Sequence, residues 1–148
     1  MHIEQKLASL GLTLPRGTMP VANFVTTVQT NNLLFVSGHI STQLRGKLGR
    51  DVTKEQGYEA ARQIALDILG SLHDALGDLD RVKRFVKLLG LVNSTEDFTE
   101  QPHVINGASD LLVEVFGTQG QHARSAIGVA QLPSNAAIEI EMIVEVME

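Results

Sequence analysis

The chain has 148 residues, of which 43% are hydrophobic and 20% are charged, and it contains no cysteine. This length and composition exclude a disordered or fibrous protein and predict a single domain over residues 1–148. The lack of cysteine excludes a disulfide scaffold, a thiolate metal site and a cysteine nucleophile. The net charge of −5, without any basic block, disfavours nucleic acid as a partner.

The apolar runs are only a few residues long, whereas a membrane-spanning helix needs about 20. Residues 1–10 include Glu4 and Lys6 and lack the apolar stretch of a signal peptide. We therefore expect a cytoplasmic protein with no membrane partner.

The first elements are a short helix and a hairpin. Apolar residues spaced four and three apart predict a helix within residues 1–12 that ends at Gly11. The β-branched and aromatic segments at 24–28 and 33–36 predict two strands joined by a turn at 30–32. We expect Gly38 to end the second strand.

The middle of the chain predicts a helix, a strand and a second helix. Thr53 and Gln56 have the spacing of a capping box, and apolar residues then follow at three- and four-residue steps as far as Gly77. Residues 81–93 predict a strand, residues 93–103 a loop containing Pro102, and residues 104–116 a second amphipathic helix that ends at Gly117.

Residues 124–130 and 137–146 predict two final strands. In the last one, alternate apolar residues from Ile138 to Val146 form one face. The element order predicts an α+β fold in which two helices cover one face of a single sheet. Small residues share one face of the strand that begins with Arg124, and we expect that face to be closely packed or to line a cavity. Assembly of sheets into a closed oligomer would supply the cover that the sheet needs.

Arg124 and the carboxylates Glu139 and Glu141 are the side chains on these strands that could carry chemistry. A guanidinium at the start of a strand can bind a planar carboxylate through two parallel hydrogen bonds. Glu139 and Glu141 share a strand face, and a carboxylate there can orient a water or take its proton. Taken alone, both patterns are more typical of solvated surface charges.

The histidines have no metal-ligand spacing, so we expect no metal, and the chain has no phosphate-binding glycine loop. His39 follows Ser37-Gly38 at a strand end and can line a pocket. The basic segment 81–87 fits a solvated strand face better than an RNA-binding surface, because the chain has one Tyr and no Trp.

Several segments together resemble the YjgF/Rid family, which is also called the L-PSP endoribonuclease or reactive-intermediate deaminase family. The similar segments are LLFVSGHI at 33–40, GYEAAR at 57–62, GDLDRV at 77–82 and ARSAIGVAQLPSNAAIEIE at 123–141. Residues 93–117 and 120–133 further resemble a subgroup with a chorismate-mutase-like fold.

This resemblance implies a single mixed sheet of the bacillus chorismate-mutase type in a homotrimer, with a central barrel and with sites in clefts between subunits. It implies hydrolysis of 2-imino acids or their enamine tautomers, such as 2-aminoacrylate, to 2-oxo acids and ammonia, without a cofactor. Arg124 would bind the substrate carboxylate and Glu139 would position the attacking water. The other residues that the resemblance assigns to the substrate cleft are Phe24, Ser37, Gly38, His39, Asn106 and Ala126.

Two positions differ from the family pattern. Phe24 stands where the family has a tyrosine, and His39 follows Ser37-Gly38 where the family has a glutamine. A non-catalytic, carboxylate-binding or regulatory trimer is therefore the main alternative to a deaminase. An endoribonuclease ranks below both, because the chain is acidic and lacks a histidine pair.

Overall fold

The computed structural model describes residues 2–148, which contain three α-helices and five β-strands. In chain order these are α1 (His2–Ser9), β1 (Thr27–Thr30), β2 (Leu33–Ile40), α2 (Lys54–Leu76), β3 (Val82–Asn93), α3 (Gln101–Phe116), β4 (Ala123–Val129) and β5 (Ile138–Val146). Short 3₁₀ turns lie at Leu79–Arg81, Gly117–Gly120 and Pro133–Asn135. The predicted element order is therefore confirmed.

One mixed sheet contains all five strands in the order β1-β2-β5-β3-β4. Only the β3–β4 pair is parallel, and the other neighbours are antiparallel. A parallel pair needs a crossover between its strands, and α3 provides it. The topology thus brings α3 against the strand that carries Arg124.

The ends of α2 follow the predicted signals. The Thr53 hydroxyl accepts a hydrogen bond from the Gln56 backbone nitrogen at 3.1 Å, and the Thr53 nitrogen donates to the Gln56 side chain at 3.0 Å. Gly77 ends the helix with φ at 81°, a left-handed conformation that favours glycine. Both cap predictions are confirmed.

The core lies between the sheet and the helices α2 and α3. The apolar face of β5 from Ile138 to Val146 is buried there, as the alternation predicted. The remaining helix, α1, contributes Leu7 to the core, and its first backbone nitrogens donate hydrogen bonds to the Asp80 carboxylate. No helix within residues 2–148 combines the length and apolar character needed to cross a bilayer.

The hairpin differs from the prediction at both ends. β1 begins at Thr27, so Phe24 lies in the preceding loop, and the turn is formed by Asn31 and Asn32. β2 does not stop at Gly38 but continues to Ile40, with an irregular register between Val36 and His39. A bulge accommodates the glycine that the sequence pattern treated as a strand end.

The small residues of β4 are closely packed, and the element that packs against them is α3 of the same chain. Arg124 bonds to α3, and a Cβ at Gly128 would meet Gln101 at the start of the same helix. Ala126 between them packs against the core. Since α3 covers this face, the small-residue face of β4 is not the one that an oligomer would have to cover.

The opposite face of the sheet is uncovered within the chain and carries apolar side chains. Val28, Phe35 and Ile127 are 54%, 42% and 48% exposed. Val28 pairs with Phe35 across β1 and β2, and Phe35 pairs with Ile143 of β5, so these side chains share one face. We call it the open face.

The contact between α2 and α3 requires glycine at position 107. A Cβ at Gly107 would collide with the backbone carbonyl of Tyr58 and lie 3.1 Å from the nitrogen of Arg62. We expect Gly107→Ala to destabilise the fold by about 3 kcal/mol, because two rigid backbones would have to separate. Val113→Ala, at a 40% exposed position of the same helix, should change stability by less than about 0.5 kcal/mol. Urea unfolding measures both, and equal stabilities would contradict this packing.

Candidate functional site

Arg124 is half-buried on β4 and is held by two neutral side chains of α3. Its Nη1 donates to Asn106 Oδ1 at 2.8 Å and to Ser109 Oγ at 3.1 Å. Within residues 2–148 no carboxylate forms an ion pair with this guanidinium. Because both hydrogen bonds use Nη1, the Nε and Nη2 donors remain for a bound anion, and a carboxylate matches that edge.

Ser109 connects Arg124 to a histidine. His122 Nε2 lies 2.9 Å from Ser109 Oγ, and His122 Nδ1 lies 2.7 Å from the carbonyl oxygen of Gly120. A carbonyl only accepts, so Nδ1 carries the proton and Nε2 accepts from the Ser109 hydroxyl. Burial lowers the pKa of His122 below 6.5, the hydrogen bond to the Gly120 carbonyl opposes this shift, and the positive charge of Arg124 adds to it, so the net effect favours the neutral ring.

The sequence analysis gave no role to Ser109 or His122. Ser109 lies three residues after Asn106, so the two share a helix face, and His122 lies two residues before Arg124 on the same side of the chain. These spacings could have indicated both residues once Asn106 and Arg124 were paired.

Glu139 lies on β5 and points to the open face, next to Gly38. A Cβ at Gly38 would collide with the carboxylate of Glu139, so this side chain occupies the space that the glycine leaves. Burial raises the pKa of Glu139, and the negative charge of Glu141 on the same face adds to the effect. A desolvated carboxylate of this kind is a stronger proton acceptor than a solvated one.

Ser37 precedes Gly38 and is bonded to the loop that contains Phe24. The Ser37 hydroxyl donates to the carbonyl of Val25 at 2.7 Å, and its backbone nitrogen donates to the carbonyl of Thr26 at 2.8 Å. These bonds fix the loop before β1 against the bulge of β2. Phe24, next in sequence to Val25, is 49% exposed at the same edge of the sheet.

His39 points away from the open face and is only 4% exposed. Its Nδ1 lies 2.8 Å from the Ser37 carbonyl, and its Nε2 lies 2.9 Å from Ser71 Oγ on α2 and 3.2 Å from Thr18 Oγ1. The side chain therefore fastens the β2 bulge to α2, and it faces the helices rather than Glu139.

The structure divides the candidate residues into two groups at different places on the sheet. Arg124 pairs with Leu88 of β3, whereas Glu139 pairs with Leu91, so they lie on either side of β3 and three residues apart along it. Strand geometry puts their Cα atoms roughly 14 Å apart, and their side chains point to opposite faces. Within one chain they cannot contact the same small ligand.

The arginine half-site consists of Arg124, Asn106, Ser109, His122 and Ala126. The glutamate half-site consists of Glu139, Gly38, Ser37 and Phe24.

A groove of about 920 Å³ lies between α2 and residues 41–44, and no residue of either half-site lines it. It is lined by Glu55, Glu59 and Asp67 together with amide and apolar side chains, and no basic residue lines it. Burial raises the pKa of Asp67. Its acidic lining makes this groove a poor site for a carboxylate, so an anionic ligand fits Arg124 better.

Three carboxylates, those of Glu4, Asp78 and Asp80, come together where α1 meets the Leu79–Arg81 turn. Their oxygens accept hydrogen bonds from backbone nitrogens, including those of Ile3 and Leu79. This cluster therefore serves to hold α1 against the turn.

The chain matches the family model described as "YjgF/chorismate_mutase-like, putative endoribonuclease" over residues 4–146. A solved structure, the protein Atu1372 with unknown function from Agrobacterium tumefaciens, is 43% identical with a TM-score of 0.92, covering 99% of this chain and 93% of that one. "Protein TCP17" from Trypanosoma cruzi is 46% identical over 97% of this chain and 94% of its own length.

Two further relatives carry functional names. The "Putative regulator AldR" from Lactococcus lactis is 33% identical, covering 78% of this chain and 81% of its own length. The "2-iminobutanoate/2-iminopropanoate deaminase" from Dermatophagoides farinae is 25% identical, covering 90% of this chain and 93% of its own length.

The buried imidazole of His39 predicts a loss of stability in acid. Burial lowers its pKa below 6.5, against smaller opposing effects of the Ser37 carbonyl and Asp67. The unfolded chain therefore binds a proton more readily, and the stabilisation present above about pH 6.5 is lost as the pH falls. In His39→Gln the free energy of unfolding should change less between about pH 7 and pH 5 than in the unchanged protein. His103→Gln, at an exposed histidine, is the control, and parallel pH profiles for all three proteins would contradict the prediction.

Proposed function

The chain belongs to the YjgF/chorismate-mutase-like family, and we propose that it hydrolyses 2-imino acids or their enamine tautomers to 2-oxo acids and ammonia. The observation that carries the proposal is Arg124, a half-buried guanidinium without a carboxylate partner among residues 2–148 and with one edge free. The related deaminase named above supports the same chemistry.

The arginine half-site binds the substrate carboxylate. Nε and Nη2 of Arg124 can donate two parallel hydrogen bonds to its oxygens, while Asn106 and Ser109 hold Nη1. Holding the carboxylate in this way fixes the neighbouring imine carbon relative to the protein.

The glutamate half-site supplies the water. Glu139, whose pKa is raised by burial, accepts a proton from a water as the oxygen bonds to the electrophilic carbon of the protonated imine. The product is a carbinolamine. Glu139 then passes this proton to the amino nitrogen, the C–N bond breaks and the nitrogen leaves as ammonia. The hydroxyl proton is lost as the carbonyl of the 2-oxo acid forms, so imine and water are converted to 2-oxo acid and ammonia.

In this proposal each complete site combines half-sites from two copies of the chain. Glu139 and Arg124 are roughly 14 Å apart on opposite faces, which one small substrate cannot bridge. A homotrimer whose open faces form a central barrel would cover Val28, Phe35 and Ile127. It would also bring the β1–β2 edge of one copy to the β4 edge of the next.

A carboxylate-binding regulatory protein is the second candidate. Phe24, at the edge of the glutamate half-site, lacks the hydroxyl of the family tyrosine, and one relative is named as a regulator. Such a protein would be stabilised by 2-oxo acids but would not release ammonia.

The first test generates the free imine with a PLP-dependent threonine or serine dehydratase and traps it with semicarbazide. We expect the protein to suppress semicarbazone formation and Arg124→Ala to abolish this effect, because the carboxylate loses its partner. Arg50→Ala, which removes an exposed arginine paired with its neighbour Asp51, is the matched control and should behave as the unchanged protein. Failure of the folded, unchanged protein to suppress the signal would favour the regulatory function.

Gly38→Ala tests the glutamate half-site without removing its carboxylate. The new Cβ would displace the flexible end of Glu139, so stability should change by less than about 1 kcal/mol while kcat falls at least about tenfold. Glu139→Gln should lower kcat to a similar extent, because it removes the proton acceptor. Thermal unfolding and steady-state kinetics measure the two effects, and normal turnover in Gly38→Ala would refute this role for the contact.

A further inference from the structure

We propose that Ser109 and His122 are positioning residues that hold Arg124 in the orientation that binds the substrate carboxylate, an inference that rests on the proposed function. Neither residue needs to contact the substrate. Both act through the chain of hydrogen bonds that runs from Arg124 Nη1 to Ser109, from Ser109 to His122 and from His122 to the Gly120 carbonyl.

The direction of each hydrogen bond follows from the one before it. The carbonyl of Gly120 can only accept, so it fixes the proton on His122 Nδ1 and leaves Nε2 as an acceptor. The Ser109 hydroxyl then donates its only hydrogen to Nε2, and its lone pairs face Arg124 Nη1. Since a guanidinium can only donate, this polarity is the one that Arg124 requires.

The far end of this chain is rigid. Gly120 is buried, and a Cβ there would collide with the backbone carbonyl of Leu112, so the turn at Gly117–Gly120 packs directly against α3. Ser109 lies on the same helix as Leu112. Arg124 is thus held, through hydrogen bonds, by a helix and a tight turn that pack against each other. This arrangement leaves the guanidinium plane little freedom to rotate.

Asn106 alone would not set this orientation. It accepts one hydrogen bond from Nη1, at 2.8 Å, and a guanidinium with a single acceptor can still rotate about that hydrogen bond. Ser109 is a second acceptor for Nη1, and two acceptors in different directions fix the guanidinium plane. The hydroxyl of Ser109 could rotate freely if His122 did not hold it, so His122 is required for Ser109 to present its lone pairs.

The binding test uses Ser109→Ala, His122→Leu and His122→Gln, with pyruvate as the probe. Gln places an amide oxygen near the position of Nε2 and can still accept from Ser109, so it is the rescuing variant. We expect Ser109→Ala and His122→Leu to raise the pyruvate Kd and the substrate KM about tenfold, with kcat changed less than about threefold. His122→Gln should stay within about threefold of the unchanged protein.

His103→Leu is the matched control. His103 lies on α3 as Ser109 does, but it is exposed, and its ring centre lies 6.0 Å from that of Tyr58 in a tilted arrangement. It should leave the pyruvate Kd and the thermal unfolding midpoint unchanged. Unaltered affinity in both Ser109→Ala and His122→Leu would overturn the proposal, and equal losses in His122→Leu and His122→Gln would overturn the acceptor role of His122.

A second readout needs no ligand, so it separates this proposal from the proposed function. Nitrogen NMR of the Arg124 side chain, assigned by its loss in Arg124→Lys, should show slow rotation of the guanidinium in the unchanged protein and faster rotation in Ser109→Ala and His122→Leu. Equally fast rotation in all three proteins would overturn the positioning role. If rotation is slow but neither pyruvate binding nor turnover is found, the positioning role holds and the proposed function fails.

Discussion

The parallel pairing of β3 with β4 is the constraint on which the arginine half-site depends. Parallel neighbours cannot be joined by a tight turn, so the chain must cross the sheet, and here the crossover is α3. This crossover brings Asn106 and Ser109 over the start of β4, where they hold Arg124. An antiparallel β3–β4 pair joined by a short turn would leave the arginine without either partner.

Much of the fold follows from local sequence signals. The Thr53 capping box, the Gly77 cap and the alternation in β5 are short-range patterns, and each is found where the sequence predicts it. The signal at Gly38 is ambiguous, because a glycine after a hydrophobic run is equally typical of a strand end and of a bulge. In the structure the bulge is held by two hydrogen bonds, one from His39 to α2 and one from Ser37 to the loop before β1. Both partners are distant in sequence, so local patterns do not reveal them.

The candidate site is harder to predict than the fold. The sequence identifies Arg124 and Glu139 as residues able to bind a carboxylate and to activate a water. Only the pairing of β4 and β5 with β3 shows that the two residues lie apart and on opposite faces of the sheet. The sequence assigns His39 to the cleft because of its neighbours Ser37 and Gly38, whereas the bulge turns that side chain towards α2. His39 therefore attaches a strand to a helix and does not face the carboxylate of Glu139.

Gly38 is required for the space that its missing side chain leaves, and not for its backbone conformation. Its φ is not in the positive range that requires glycine, and no turn depends on it. It is needed for the volume that it leaves to the carboxylate of Glu139. Positions 38 and 139 should therefore have evolved together: in homologous chains, loss of the glutamate would remove the reason for the glycine, and larger residues would then accumulate at position 38.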